Sequence, residues 1–121
     1  MKLYIATNNA NKVGELENML KKNLPDIQVR GAKKFGGMPD VEESAVTFEG
    51  NALLKAHALH RIIDKDYWTL SDDSGLVVDA LNGNPGIYSA RFAGSNATDD
   101  ENRLKLLKAM QGIPYAMRQA R

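Results

Sequence analysis

Three short polar clusters in this sequence combine residue types that bind phosphate groups and divalent cations. The first, at positions 7–12, joins a threonine and three asparagines to a lysine. The second, at positions 40–44, contains three carboxylates, one of them Glu43. The third, at positions 71–75, sets Asp73 and a second aspartate between two serines. Each cluster follows a strand or precedes a helix, and in α/β proteins such loops are where ligands bind.

The first cluster leads into a helix, and Asn9 or Asn11 is placed to cap it. The free amides at a helix N-terminus, its dipole and Lys12 together favour an anion such as phosphate. The alternative is a capped helix with a solvated lysine.

The other two clusters supply carboxylates. Glu43 precedes a long helix, where it either complements the helix dipole or binds Mg²⁺, which takes one or two carboxylates plus substrate phosphate oxygens. The adjacent Asp72 and Asp73 repel each other unless a cation or hydrogen-bond donors compensate. The alternative for these two aspartates is an Asp-rich turn.

Strands and helices alternate along the chain, which predicts an α/β fold. Apolar residues recurring every 3 or 4 positions predict helices, and short apolar runs ending in polar turns predict strands. The predicted elements are a strand over Leu3–Ala6, a helix over Val13–Leu24, a strand over Ile27–Val29, a helix over Phe48–Ile63, a strand over Tyr67–Leu70, a further strand over Leu76–Leu81 and a helix after Thr98.

Side-chain burial is predicted from the same patterns. The last helix, which starts in a Thr98 to Glu101 capping box, is expected to bury Leu104, Leu107 and Met110. Trp68 is expected in the core. His57 and His60 are interpreted as packing or surface residues and not as zinc ligands, because no third ligand lies nearby in the sequence.

The composition of the chain favours some classes of protein and argues against others. A chain of 121 residues with 43% hydrophobic and 26% charged residues fits one globular domain over residues 1–121. The net charge of +1 argues against nucleic acid or an acidic membrane as a partner. No cysteine is present and no apolar run reaches the ~20 residues of a membrane span, so we expect a cytoplasmic protein.

Longer motifs run through nearly the whole chain. They are Ala6-Thr7-Asn8-Asn9 with Lys12, Glu42-Glu43, Thr47-Phe48-Glu49-Gly50-Asn51-Ala52 with Lys55-Ala56, Ser71-Asp72-Asp73-Ser74-Gly75-Leu76-Val77-Val78-Asp79-Ala80-Leu81, Gly83-Asn84-Pro85-Gly86-Ile87-Tyr88-Ser89-Ala90-Arg91-Phe92-Ala93-Gly94 and Ala97-Thr98-Asp99. Together they resemble the inosine triphosphate pyrophosphatase family, the purine nucleoside triphosphate pyrophosphatases that remove deaminated purines from the nucleotide pool.

The resemblance implies a mixed sheet flanked by helices, of which only the N-terminal portion is present. It implies hydrolysis of ITP, dITP or XTP to the monophosphate and pyrophosphate, with Mg²⁺. Glu43 and Asp73 are implied as metal ligands, and an alternative role for Asp73 is to position the attacking water. Asp73 and Lys12 are the implied catalytic residues. The residues implied in triphosphate binding are Thr7, Asn8, Asn9, Lys12 and Ser74.

The sequence departs from the family pattern in two ways. Asn8 stands where most members have glycine, and the turn is expected to survive because asparagine tolerates positive φ. The family's later Phe-Gly-Tyr-Asp-Pro and Ser-His-Arg motifs, which hold the purine base, are missing from residues 1–121. The expected protein is therefore a truncated pyrophosphatase, or alternatively a weak or inactive remnant that binds only phosphate and metal. An uncovered sheet edge predicts a homodimer.

Overall fold

The computed structural model describes all residues from Met1 to Arg121. The chain forms two compact units, Met1–Asp72 and Asp73–Arg121. The first unit contains three strands and two α-helices. They are β1 at Lys2–Ile5, α1 at Ala10–Lys21, β2 at Gln28–Gly31, α2 at Phe48–His60 and β3 at Trp68–Leu70, with a short 3-10 helix at Ala32–Phe35.

The three strands form one parallel sheet in the order β2-β1-β3. Leu3 lies opposite Val29 on one side and opposite Trp68 on the other. Both connections contain a helix, as parallel neighbours require. The predicted α/β class with a sheet flanked by helices is thus confirmed. Antiparallel pairing occurs only as isolated bridges at Val77 and Val78.

Alternation along β1 sends side chains to both faces of the sheet. Leu3 and Ile5 pack with β2 against the apolar face of α1. Tyr4 and Ala6 point to the opposite face and pack with Leu59 of α2. The central strand is therefore buried from two sides, which fixes its register because a one-residue slip would exchange the two faces.

Capping residues set where the helices begin. Asn9 caps α1, since its Oδ1 accepts from the backbone N–H groups of Asn11 and Lys12. Thr47 caps α2 by accepting from the N–H of Gly50 at 3.0 Å. These caps place both helix starts close to the predicted ones.

The second unit has no strand of more than a single bridge. Its elements are 3-10 helices at Asp79–Leu81, Gly86–Arg91 and Tyr115–Met117, and α3 at Asp99–Ala109. The predicted strand over Leu76–Leu81 was therefore wrong. Val77 bridges Pro85 and Val78 bridges Ala120, after which the chain turns into a 3-10 helix.

The capping box at the start of α3 is confirmed: Thr98 accepts from the N–H of Glu101, and the Glu101 side chain accepts from the N–H of Thr98. The predicted buried face was wrong in part. Leu104 and Leu107 are 66% and 63% exposed, whereas Met110 is buried. The least exposed positions are Asn102, Leu106 and Met110, which lie four residues apart on one face of the helix.

Trp68 does not belong to the core, because it is 67% exposed on the edge strand β3. It lines an apolar cleft of about 490 Å³ with Leu53, Tyr67 and the two histidines of α2. His60 hydrogen-bonds Thr69 at 3.2 Å. None of the helices combines the length and apolar character that crossing a membrane requires.

Candidate active site

A cleft of about 290 Å³ opens where β1 ends. The chain leaves the sheet at Ala6, and the next residues form one wall of the cleft. The other wall comes from residues 38–41, from Glu43 and from Lys55 of α2. Its polar lining consists of Thr7, Asn8, Asp40, Glu43 and Lys55. The structure thus brings three of the predicted site residues, Thr7, Asn8 and Glu43, into one cleft.

Hydrogen bonds within the loop at residues 7–9 fix its shape. The Oγ1 of Thr7 accepts from the backbone N–H of Asn9 at 3.1 Å. The Oδ1 of Asn9 is occupied as the cap of α1, so the group of Asn9 that remains for an anion is its amide NH₂. The first turn of α1 lies directly behind this loop, as an anion site at a helix N-terminus requires.

Asn8 holds the two walls of the cleft together. Its Oδ1 accepts from the backbone N–H of Met38 at 2.7 Å, across 30 positions of sequence. Asn8 does not adopt a positive φ, and Asn82 is the non-glycine residue of this chain that does. The expectation that Asn8 replaces glycine by adopting its left-handed conformation was therefore wrong: its side chain serves as an anchor.

Lys12 extends from α1 toward the end of β3. Its Nζ lies 3.5 Å from Oδ2 of Asp72 and 3.9 Å from Oε2 of Glu15. The Lys12 and Asp72 side chains are 34% and 42% exposed, so this ion pair is worth about 0–1 kcal/mol. A multiply charged phosphate can therefore replace Asp72 as the partner of Lys12 at little cost.

Glu43 lies beside Lys55, with Oε1 at 3.8 Å from Nζ. Both side chains are largely sheltered, at 27% and 20% exposure, so this pair is screened less than a surface pair. The Glu43 carboxylate is therefore held on this wall of the cleft by a contact with the ammonium group of α2.

The donor set of the cleft fits Mg²⁺. Asp40 and Glu43 supply carboxylates and Thr7 supplies a hydroxyl, all of which are hard oxygen ligands, whereas the Oδ1 of Asn8 accepts from Met38. No group of three or more His, Cys, Asp or Glu side chains is placed to hold a metal by itself. This arrangement suits an ion that completes its shell with water and substrate phosphates.

Asp73 and Ser74 belong to the second unit, where they open the loop that follows β3. Ser89 anchors this loop: its Oγ accepts from the N–H of Leu76 at 2.9 Å and donates to the carbonyl of Gly86 at 2.6 Å. A Cβ at Gly75 would lie only 2.3 Å from that carbonyl oxygen. The close packing after Ser74 thus requires glycine at position 75.

Two polar residues of α2 that contact the segment at residues 43–45 were not identified from the sequence. Lys55 was part of a matching motif without a role, and Asn51 lies one turn before it on α2. Their spacing of four places them on one face of the helix. That spacing was the signal that could have identified Asn51 and Lys55 as a pair. Their contact with the preceding segment was not predictable, because Glu43 and Lys55 are 12 positions apart in the sequence.

Comparison with known proteins finds relatives that match nearly the whole chain. The model of the Ham1 family matches residues 3–121. A dITP/XTP pyrophosphatase of Caldanaerobacter subterraneus subsp. tengcongensis is 46% identical over 120 residues, covering 99% of this chain and 58% of that protein. One from Thermoanaerobacter sp. (strain X514) is 45% identical, covering 99% of this chain and 59% of that protein.

Solved structures show the same fold. The Staphylococcus aureus Ham1 protein is 42% identical with a TM-score of 0.72, covering 93% of this chain and 56% of that one. The dITP/XTP pyrophosphatase of Mycobacterium abscessus is 34% identical with a TM-score of 0.73, covering 99% of this chain and 61% of that one. This chain therefore spans about three fifths of the length of the relatives that it matches.

Proposed function

Because this chain belongs to the Ham1 family, we propose that it hydrolyses the bond between the α- and β-phosphates of dITP, XTP and ITP. The products are the nucleoside monophosphate and pyrophosphate. The observation that carries the proposal is the cleft at the end of β1, which joins hydroxyl, amide, carboxylate and ammonium groups. The names of relatives that are 45% and 46% identical support the choice of substrates.

In this proposal the triphosphate lies at the N-terminus of α1. Lys12 neutralises phosphate charge after exchanging its partner Asp72 for the substrate. The side chains of Thr7 and Asn9 and the amides of the helix terminus donate to phosphate oxygens. Ser74 adds a hydroxyl donor from the loop after β3. Asn8 contributes chiefly by holding the wall at Met38 in place.

Glu43 and Asp73 are the proposed ligands of Mg²⁺. When bound, this ion supplies positive charge that offsets the charge on the phosphate oxygens. Glu43 is already held in place by Lys55. An alternative role for Asp73 is to accept a hydrogen bond from the attacking water and orient it toward phosphorus.

Catalysis then consists mainly of positioning and charge neutralisation, as is general in phosphoryl transfer. The water oxygen forms a new bond to phosphorus while the bond to the bridging oxygen breaks. Pyrophosphate leaves with the electron pair of that bond, and the proton lost by water passes to solvent or to a carboxylate. None of these steps requires a covalent intermediate with the chain.

A second candidate is a protein that binds phosphate and metal without turnover. It is favoured by one observation: the lining of the cleft does not include Lys12, one of the two proposed catalytic residues. Both candidates share the cleft and the predicted homodimer, and for both we propose the cytoplasm as location, because the proposed ligands are nucleotides of the cellular pool.

The test is pyrophosphate release from dITP and XTP by the 121-residue chain, with Mg²⁺ and with excess EDTA. The proposal expects one pyrophosphate per nucleotide, no orthophosphate, and loss of activity in EDTA. Release of orthophosphate would contradict the reaction type. Binding of nucleotide by calorimetry without any pyrophosphate would favour the second candidate.

A further inference from the structure

Asn51 is the buried polar residue of this chain, with 0% exposure. It lies in α2, and its Oδ1 accepts from the backbone N–H of Ala45 at 2.9 Å. Ala45 is two positions beyond Glu43. The amide Nδ2 of Asn51 is buried and has no hydrogen-bond partner. An unsatisfied buried donor lowers stability, so an apolar residue of similar shape would be more favourable for folding alone.

Asn102 gives an internal comparison. Asn51 and Asn102 each follow a capping threonine by four positions and donate their backbone N–H to its carbonyl. The Oδ1 of Asn102 likewise accepts from a backbone N–H before the helix, that of Ala93, at 2.8 Å. Its Nδ2, however, donates to the carbonyl of Ala90 at 3.0 Å. The same side-chain arrangement is thus fully hydrogen-bonded at Asn102 of α3, whereas at Asn51 of α2 the Nδ2 donor has no partner.

The segment at residues 42–45 is packed closely onto α2. A Cβ at Gly50 would lie 2.7 Å from the Cβ of Ala45, a distance at which the segment must move. One turn further along α2, Lys55 contacts the Glu43 side chain. The helix therefore holds this short segment at its backbone, through Asn51, and at its carboxylate, through Lys55.

We propose that Asn51 is a positioning residue that fixes Glu43 for metal binding. The inference rests on the proposed function in one respect, the assignment of Glu43 as a Mg²⁺ ligand. Asn51 acts through Ala45 and does not line the cleft. Groups that orient metal ligands in this way typically change metal affinity or activity by about 10–100-fold when replaced.

The test is titration of the 121-residue chain with Mn²⁺ alone, followed by electron paramagnetic resonance. Asn51→Leu removes the hydrogen bond while keeping the branching and the number of side-chain heavy atoms, and it should weaken Mn²⁺ binding by about tenfold or more. Asn51→Asp keeps an acceptor for Ala45 and should stay within about threefold of wild type, because the hydrogen bond to Ala45 remains. Asn102→Leu removes the matched hydrogen bond in α3 and should leave the affinity within about twofold, as substitutions away from a site usually do.

Gly50→Ala is a second, independent variant, because it displaces Ala45 while leaving Asn51 intact, and it should weaken Mn²⁺ binding in the same direction. It decides the question if Asn51→Leu does not fold. Unchanged Mn²⁺ affinity in the folded variants would overturn the proposal, and so would the absence of Mn²⁺ binding by wild type. If wild type binds Mn²⁺ but cleaves neither dITP nor XTP, the proposed function fails. The role of Asn51 is then still decided by comparing the Mn²⁺ affinities of the variants with that of wild type.

Discussion

Lys12 illustrates how a residue of the proposed phosphate site is held in this structure. Its ammonium group lies within 4 Å of two carboxylates, those of Asp72 and Glu15. Such partly exposed pairs contribute about 0–1 kcal/mol each. They keep the long side chain near the end of β3 without opposing an exchange for phosphate. Charge pairing therefore positions the Lys12 side chain and still allows it to exchange its carboxylate partners for phosphate.

Asp73 is the residue whose replacement tests the mechanism most directly. Asp73→Asn keeps the side-chain size but removes the charge needed to ligate metal or to orient water. We expect pyrophosphate release to fall by at least about 100-fold, the lower end for loss of a positioned acid or base. The circular dichroism spectrum should not change.

Asp72→Asn is the matched control, since it is the neighbouring aspartate and its known contact is the exposed pair with Lys12. Loss of that pair should change the rate by less than about tenfold. Normal turnover in Asp73→Asn would remove Asp73 from the mechanism, whichever of its two roles is considered.

Among the elements, the loop after β3 depends on one glycine. Gly75→Ala would bring a Cβ to 2.3 Å from the carbonyl oxygen of Gly86 and 2.5 Å from Oγ of Ser89. Because this contact is with backbone, the loop bearing Asp73 must shift. We expect a loss of about 1–3 kcal/mol in the free energy of unfolding, together with a fall in kcat, measured by urea unfolding and by pyrophosphate release.

Gly14→Ala provides the control for that substitution. Gly14 lies inside α1 with no atom within 4 Å of the position of an added Cβ. The change should stabilise the protein by about 0.5–1 kcal/mol, because alanine favours helix, and leave the rate unchanged. Equal effects of the two substitutions would show that the close contact at Gly75 does not position the loop.

The sequence predicted the first unit better than the second, for a physical reason. The strands and helices of the first unit bury regular apolar faces, as Leu3 and Ile5 do against α1. Such periodicity is visible in one dimension. In the second unit Val77 and Val78 make single bridges, and their partners Pro85 and Ala120 were not recognisable from spacing.

For the candidate site, the sequence predicted some of the residues but not the contacts between them. Thr7, Asn8 and Glu43 were identified by residue type beside a strand or helix end, and the structure places them in one cleft. The anchoring bond from Asn8 to Met38 and the contact of Glu43 with Lys55 were not predictable. Both depend on tertiary packing between residues 30 and 12 positions apart, which no local pattern encodes.

At the scale of the whole molecule, the proposed function assigns residues 1–121 groups that bind phosphate and metal, and it assigns none of them to the purine base. Discrimination between purine bases requires hydrogen bonds to the base edge, and a site without them discriminates only weakly. We therefore predict less than about a tenfold preference in kcat/KM for dITP over dGTP, or for ITP over ATP. A much stronger preference would show that base recognition resides within residues 1–121.

Association is the last property that the fold predicts. β3 pairs with β1 on one side only, so its other edge carries unpaired backbone groups. Trp68 on this strand is 67% exposed and borders the apolar cleft that contains Leu53 and Tyr67. An edge and an apolar surface that adjoin one another favour contact with a second chain, and twofold symmetry would cover both surfaces in each copy.

We predict a homodimer at micromolar concentration by sedimentation, with a thermal midpoint that falls on dilution. Trp68→Lys places a charge at the proposed interface and should shift the protein to monomer. Tyr115→Lys is the control, since Tyr115 is 93% exposed in the second unit and far in sequence from β3; this variant should sediment like wild type. A well-folded wild-type monomer at micromolar concentration would contradict the dimer, and the edge of β3 would then be tolerated in water because it is only three residues long.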